Sequence, residues 1–134
     1  MTRDQQRLAD YLAHITEAIE RIERYTGDMD EVTFLNNPLV QDAAIRNLEV
    51  IGEASNNIEK NYPDFAASHP ELPLSFAYQM RNVVAHGYFK VDFELVWKTI
   101  HRDLPGLKAQ IQDAQLSVRS QGVEGMAEDA RKEE

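Results

Sequence analysis

Leu8, Tyr11, Leu12, Ile15, Ala18, Ile19, Ile22 and Tyr25 return at intervals of three and four residues, and this spacing limits what the chain can become. Only an α-helix gathers such positions into one stripe. Glu17 with Arg21 and Glu20 with Arg24 stand four apart and are expected as favourable pairs on the outer face. The period returns after Asn36-Asn37-Pro38, where Asn37 suits an N-cap and Pro38 the first helical position. From Pro38 to about Lys60 the stripe is Val40, Ala44, Leu48, Ile51, Ala54 and Ile58. Asp42, Arg46, Glu49 and Glu53 form a polar ridge opposite it, and Gly52 permits close helix packing. A strand requires period-two alternation, which no useful length of this chain provides.

Thr26-Gly27-Asp28 closes the first helix, and "DEVTFL" predicts a short helical turn. "NYPDFAASHPELP" reads as a loop with a single helical turn. A third main helix turns Phe76, Ala77, Met80, Val83 and Val84 inward and stops near His86, because Gly87 takes the left-handed conformation that ends helices. Asp92 suits the N-cap of a fourth, with Phe93, Val96, Trp97 and Ile100 inward. Asp103 and Pro105 mark a restart that continues through Leu107 and Ile111 to about Leu116. The expected fold is all-α, an antiparallel bundle of four to five helices over residues 1–118. Residues 119–134 are expected as a flexible acidic tail containing Glu124, Glu128, Asp129, Glu133 and Glu134.

A length of 134 residues fits one domain with a sizeable core. The net charge of −9 opposes broad, nonspecific binding to a polyanion, yet leaves room for a small cationic pocket. The absence of cysteine rules out disulfides, thiolate metal sites and a cysteine nucleophile, and it fits a reducing compartment. No apolar run approaches the roughly 20 residues of a membrane span, and "MTRDQQRLADYLAHI" is too polar for a signal peptide, so a cytoplasmic location is expected. His14 and His69 stand at no carboxylate spacing typical of a metal site and read as structural or surface groups. No Gly-rich nucleotide fingerprint occurs, and neither metal nor cofactor is expected.

The most informative stretch is "RNVVAHGYF", residues 81–89. With Met80 at zero on an ideal helix, Arg81 falls at about 100°, Ala85 at about 140°, Asn82 at about 200° and His86 at about 240°. Arg81 and His86 thus flank a face turned away from their own core, with small Ala85 between them. Imidazole exchanges a proton near neutrality, and guanidinium offers a fixed fork of donors that matches phosphate oxygens. In RNA the neighbouring 2′-hydroxyl is the nucleophile such a pair would serve: histidine removes its proton, and arginine stabilises the charge gathering on phosphorus oxygens. An Arg and a His five apart are also ordinary solvated groups, and Tyr88-Phe89 also serves as a hydrophobic staple after a helix. Lys90, Lys98, His101 and Arg102 lend local positive charge, either to guide phosphate or as plain surface cations.

Arg81, four residues, His86, one residue and Tyr88 resemble the R-x-x-x-x-H-x-Y signature of the HepT-like toxins of the HEPN superfamily. "AIERIERYT", "QDAAIRNLEVIGEAS" and "VDFELVWKTIHRDLPGLK" follow the expected order, so the resemblance covers about residues 3 to 112. It implies a HEPN-like homodimer in which two copies of the motif line a shared cleft. It also implies a metal-independent endoribonuclease acting as the toxin of a type II or type VII-like toxin–antitoxin system. Arg81 and His86 would be catalytic, and Tyr88 would position RNA or phosphate; by their own placement Asn82 serves to orient phosphate or the imidazole or is a plain surface amide, and Arg46 supplies a second cation for phosphate or belongs to a solvated ridge. The implied partner is a minimal nucleotidyltransferase antitoxin (MntA-type) that transfers adenylate to Tyr88. The alternative within the superfamily is a noncatalytic nucleotide- or substrate-binding subunit of a nucleotidyltransferase complex. Relatives commonly place a Trp ahead of the motif, where this chain has "ELPLSFAYQM", and Phe76 would fill that space.

Overall fold

The computed structural model describes residues 2–75, 77 and 91–132, with side chains as far as residue 120. Within them lie six helices and no strand: α1 (Arg3–Thr26), α2 (Glu31–Leu35), α3 (Pro38–Asn61), α4 (Pro63–Ser68), α5 (Phe93–Arg102) and α6 (Leu104–Lys132). The two short helices are connectors, so the all-α bundle follows from the four long ones. The third main helix expected from sequence lies outside the described residues beyond its first turn. Of its core positions only Ala77 is described, and it is fully buried.

Four of the helices, α1, α2, α3 and α5, start where side-chain chemistry satisfies otherwise unpaired N–H groups. The Thr2 hydroxyl accepts from the Gln5 amide at 3.2 Å while the Gln5 side chain accepts from the Thr2 amide at 2.9 Å, closing a capping box on α1. Asp30 caps α2 through the Thr33 amide, Asn37 caps α3 through that of Val40, and Asp92 caps α5 through those of Glu94 and Leu95. Pro105 has no N–H to bond the carbonyl four residues back, and the chain breaks at Asp103 before α6 begins.

The core forms where α1 packs against both α3 and α6. Leu12, Ile15, Ile19 and Ile22 of α1, Leu48, Ile51 and Ile58 of α3, and Leu104 and Ile111 of α6 are buried to within 1%. In α6 the buried positions Leu104, Leu107, Ile111, Ala114 and Val118 alternate steps of three and four, the narrow seam of one helix lying along another. Two contacts fix the direction. Thr16 meets Gln115 and Glu23 meets Lys108, so α6 descends as α1 ascends. Likewise Tyr11 of α1 meets Tyr62 at the end of α3 with ring centroids 6.4 Å apart, so these helices also run antiparallel. Phe34, fully buried, fixes α2 against α5 through Phe93 at 6.4 Å and Trp97 at 5.3 Å. Gln41, also buried, donates to the Phe34 carbonyl at 2.9 Å and so satisfies the end of α2.

The structure departs from the sequence reading at three points. Tyr25, expected on the inward stripe, is 40% exposed, because the buried line of the last turn runs from Ile22 to Thr26, four residues apart, and leaves Tyr25 beside it. The Glu17–Arg21 and Glu20–Arg24 pairs are not closed; among the described residues the ion pair is Glu23–Lys108, at 3.0 Å, between helices. An exposed pair on one helix gains too little to hold two long side chains together. Finally, helical backbone in α6 continues to Lys132 instead of stopping near Leu116. Among the described side chains the last buried apolar one is Val118, and the stretch that follows contains Met126, Ala127, Glu128, Ala130, Arg131 and Lys132, all good helix formers, and no proline.

Candidate functional site

Arg81, Asn82, His86, Tyr88 and Lys90 lie outside the described residues, as does Gly87. The structure does define how the chain is held on either side of them. Upstream, Leu72, Leu74 and Ala77 are buried, and the Ser75 hydroxyl donates to both Glu59 carboxylate oxygens, at 2.9 and 3.1 Å. Downstream, the Asp92 cap fixes the first turn of α5. The described chain ahead of the motif is thus tied at Ser75 to Glu59 near the end of α3, and the described chain after it begins at the layer built on Phe34.

The polar ridge of α3 falls as its spacing requires. Asp42, Arg46 and Glu53 are exposed and Glu49 is half-buried. The Arg46 guanidinium is exposed and makes no ion pair or hydrogen bond among the described residues. Lys98 and Arg102 are exposed on α5; His101 is exposed too, but its ring lies 4.0 Å from that of Trp97 and its Nδ1 is 3.0 Å from the Trp97 carbonyl oxygen. His69 is occupied in the same way, stacked on Phe65 at 4.2 Å with Nδ1 3.0 Å from the Phe65 carbonyl oxygen.

One arrangement escaped sequence reasoning. His14, read there as structural or surface, shares a groove of about 210 Å³ with Tyr11, Val50, Glu53, Ala54 and Asn57. Tyr11 and His14 are three apart on α1, and Glu53 and Asn57 four apart on α3, so each pair projects from one side of its helix. That spacing was visible in sequence; the register that sets α1 against α3 was not. The Tyr62 hydroxyl behind Tyr11 is pushed above its ordinary range, first by burial and then by nearby Asp4. It remains a protonated donor under ordinary conditions.

Two further grooves flank α6. One, of about 460 Å³, lies among Glu17, Glu20, Arg21, Glu23, Arg24 and Lys108; the other, of about 260 Å³, among Gln6, Ala9, Asp10, Ala13, Gln115 and Arg119. Among the described residues no three His, Asp or Glu side chains converge as a metal site would require, and no helix is long and apolar enough to cross a membrane.

Comparison with known proteins places these features in a family. Residues 15–114, a span that contains the whole of "RNVVAHGYF", match the model described as "HepT-like: Ribonuclease HepT-like". The chain is 45% identical over 103 residues to a "Probable ribonuclease HepT" of Thermococcus cleftensis, covering 77% of this chain and 91% of that protein. It is 40% identical over 101 residues to a "Gamma-glutamylcyclotransferase and putative RNase" of Methanocaldococcus jannaschii, where the match takes in 75% of this chain and 44% of that protein. A second protein of that organism, a "Putative RNase", is 35% identical over 102 residues, or 76% of this chain and 91% of that protein. No solved structure matches. With an all-α bundle, an Arg-His-Tyr motif that falls in sequence between α4 and α5, and a family match over residues 15–114, the chain belongs to the ribonuclease HepT-like family.

Proposed function

We propose that this protein is a metal-independent endoribonuclease, the toxin of a type II or type VII-like toxin–antitoxin pair, acting in the cytoplasm as a homodimer. The observation that carries the reading is the coincidence of Arg81, His86 and Tyr88 with the matched span of a ribonuclease family. His86 removes the 2′-hydroxyl proton, and the 2′-oxygen attacks the adjacent phosphorus. The P–O5′ bond breaks, leaving a 2′,3′-cyclic phosphate and a 5′-hydroxyl that takes up a proton. Arg81 stabilises the phosphorane charge through its donor fork. Asn82, Tyr88 and Arg46 position the phosphate. Two motifs across a twofold cleft supply the base and acid that one histidine cannot provide at once.

In this reading the partner is a minimal nucleotidyltransferase antitoxin. The Tyr88 phenolic oxygen attacks the α-phosphorus of ATP, releases pyrophosphate and leaves adenylate on the ring. A phosphodiester beside Arg81 then competes for its guanidinium and fills the pocket. The net charge of −9 favours a second reading, a noncatalytic nucleotide-binding subunit of the same complex, since an RNase gains rate from a basic field.

Incubation of the purified protein with total RNA in excess chelator separates the two. Cleavage that falls about a hundredfold or more in Arg81→Ala and in His86→Ala, with circular dichroism unchanged, supports the nuclease. Intact RNA with every variant, alongside nucleotide-dependent complex formation, supports the subunit. Mass spectrometry after coexpression with the nucleotidyltransferase tests the added adenylate at Tyr88.

A further inference from the structure

We propose that the groove between α1 and α3 receives a single unpaired guanine base of the RNA and selects for it. The inference rests on the reading that this chain acts on RNA, and it assigns Tyr11, His14, Glu53 and Asn57, which have no part in the motif chemistry.

The chemistry of the lining comes first. Ala54, 4% exposed, and half-buried Val50 supply small apolar surface, while the polar groups come from both helices. A volume of about 210 Å³ lies below that of sites for drug-sized molecules and suits one planar heterocycle. The Tyr11 ring is braced edge-on by Tyr62, at an interplanar angle of 66°, and so is held in place for a base to stack on.

The state of the polar groups separates this groove from the other two. In the groove of about 460 Å³, Glu23 and Lys108 satisfy each other at 3.0 Å, and the other lining side chains, Glu17, Glu20, Arg21 and Arg24, are all fully charged, with no aromatic or amide group among them. In the third, Gln115 accepts from Thr16 and Asp10 from Gln6, both at 2.9 Å. Here the Tyr11 hydroxyl, the His14 ring, the Glu53 carboxylate and the Asn57 amide have no hydrogen bond to one another or to any other described residue. Four groups of mixed donor and acceptor character, unengaged among the described residues, surround one apolar patch.

The carboxylate decides which base. It accepts only, and two adjacent donors engage it best. Guanine alone among the four bases offers a ring N–H beside an exocyclic amine. Adenine and cytosine place an acceptor nitrogen next to the amine, and uracil sets one N–H between two carbonyls. The Asn57 amide adds a donor for the guanine carbonyl, and His14 closes the side toward α1. Glu53 also repels phosphate, so the groove reads a base while the backbone lies elsewhere. Arg46, seven residues before Glu53 and therefore roughly 10 Å along the helix, is open to the phosphate of a nearby nucleotide.

The test uses full-length protein carrying His86→Ala, to stop turnover, and fluorescein-labelled pentanucleotides UUGUU, UUAUU, UUCUU and UUUUU, read by anisotropy. The expected result is UUGUU bound about tenfold tighter than the other three, with the preference lost in Glu53→Gln and reduced in Asn57→Ala. Both positions are outside the core, and circular dichroism confirms the fold. Equal binding of all four, or a guanine preference that survives Glu53→Gln, overturns the proposal. So does a Glu53→Gln protein that loses its protein partner but keeps its base preference. Guanine-selective binding without RNA cleavage by the wild type supports the groove and removes the nuclease reading; RNA cleavage without base selection removes only the groove.

Discussion

Thr16 Oγ1 donates a hydrogen bond of 2.9 Å to Gln115 Oε1, joining residues 99 positions apart across the α1–α6 seam. With Glu23–Lys108 two turns further along α1, it sets the register in which the last helix covers the first. Thr16 is itself buried, so the bond also satisfies a hydroxyl that burial would otherwise leave unpaired.

The seam divides α6 into a part that holds the fold and a part that does not. Removing residues 121–134 is expected to leave the melting temperature within a few degrees of the full chain, because the buried seam of the described side chains is complete at Val118. Ending the chain at Asp113 discards Ala114, Gln115 and Val118 and should abolish cooperative melting. Differential scanning calorimetry of the two truncations checks both outcomes.

Within α6, burial should decide the cost of a lost side chain. Ile111 is fully buried, and Ile111→Ala is expected to cost about 2–5 kcal/mol in urea unfolding. Leu116 is 61% exposed, and Leu116→Ala should fall within about 0.5 kcal/mol of wild type. Similar losses at both positions would contradict the seam.

Acid should weaken α2 in a defined way. The Asp30 carboxyl is held below its ordinary value, first by the Thr33 backbone N–H and then by the Thr33 side chain. A lowered folded value means the unfolded chain binds the proton more readily. The contribution is therefore complete above about pH 4 and disappears as pH falls through the lower folded value. Asp30→Asn keeps a capping oxygen without the titration, so its urea midpoint should change less between pH 5 and about pH 2.5 than that of wild type.

Alkali should act through Tyr62. Its hydroxyl ionises above the ordinary range, so the folded state keeps the proton longer than the unfolded one. That contribution is complete below about pH 10 and is lost as pH rises through the folded value. Tyr62→Phe keeps the ring against Tyr11 and should flatten the dependence, as measured by denaturant midpoints between pH 9 and about pH 11.5.

Much of this architecture is legible in the sequence because helices declare themselves locally. The stripes of α1 and α3, the caps at Asn37 and Asp92 and the break at Pro105 depend on neighbours within four residues, and the structure reproduces each. What stayed hidden depends on pairing between helices: Glu23 choosing Lys108 over a partner on its own helix, Gln41 buried against the Phe34 carbonyl, and His14 brought to Glu53. The end of α6 was missed for a different reason. Loss of apolar periodicity marks where packing stops, whereas the backbone follows intrinsic propensity and carries on. For the candidate site, residue types and their order in "RNVVAHGYF" gave the family, while Arg81, Asn82, His86 and Tyr88 lie outside the described residues, so their placement remains a proposal.

Trp97 lies between Phe34, at 5.3 Å, and His101, at 4.0 Å, and it is the chain's sole tryptophan. The molecule thus carries a built-in optical gauge. Indole emission reports the seating of α5 on α2, and it does so nine residues after Tyr88 without any attached dye.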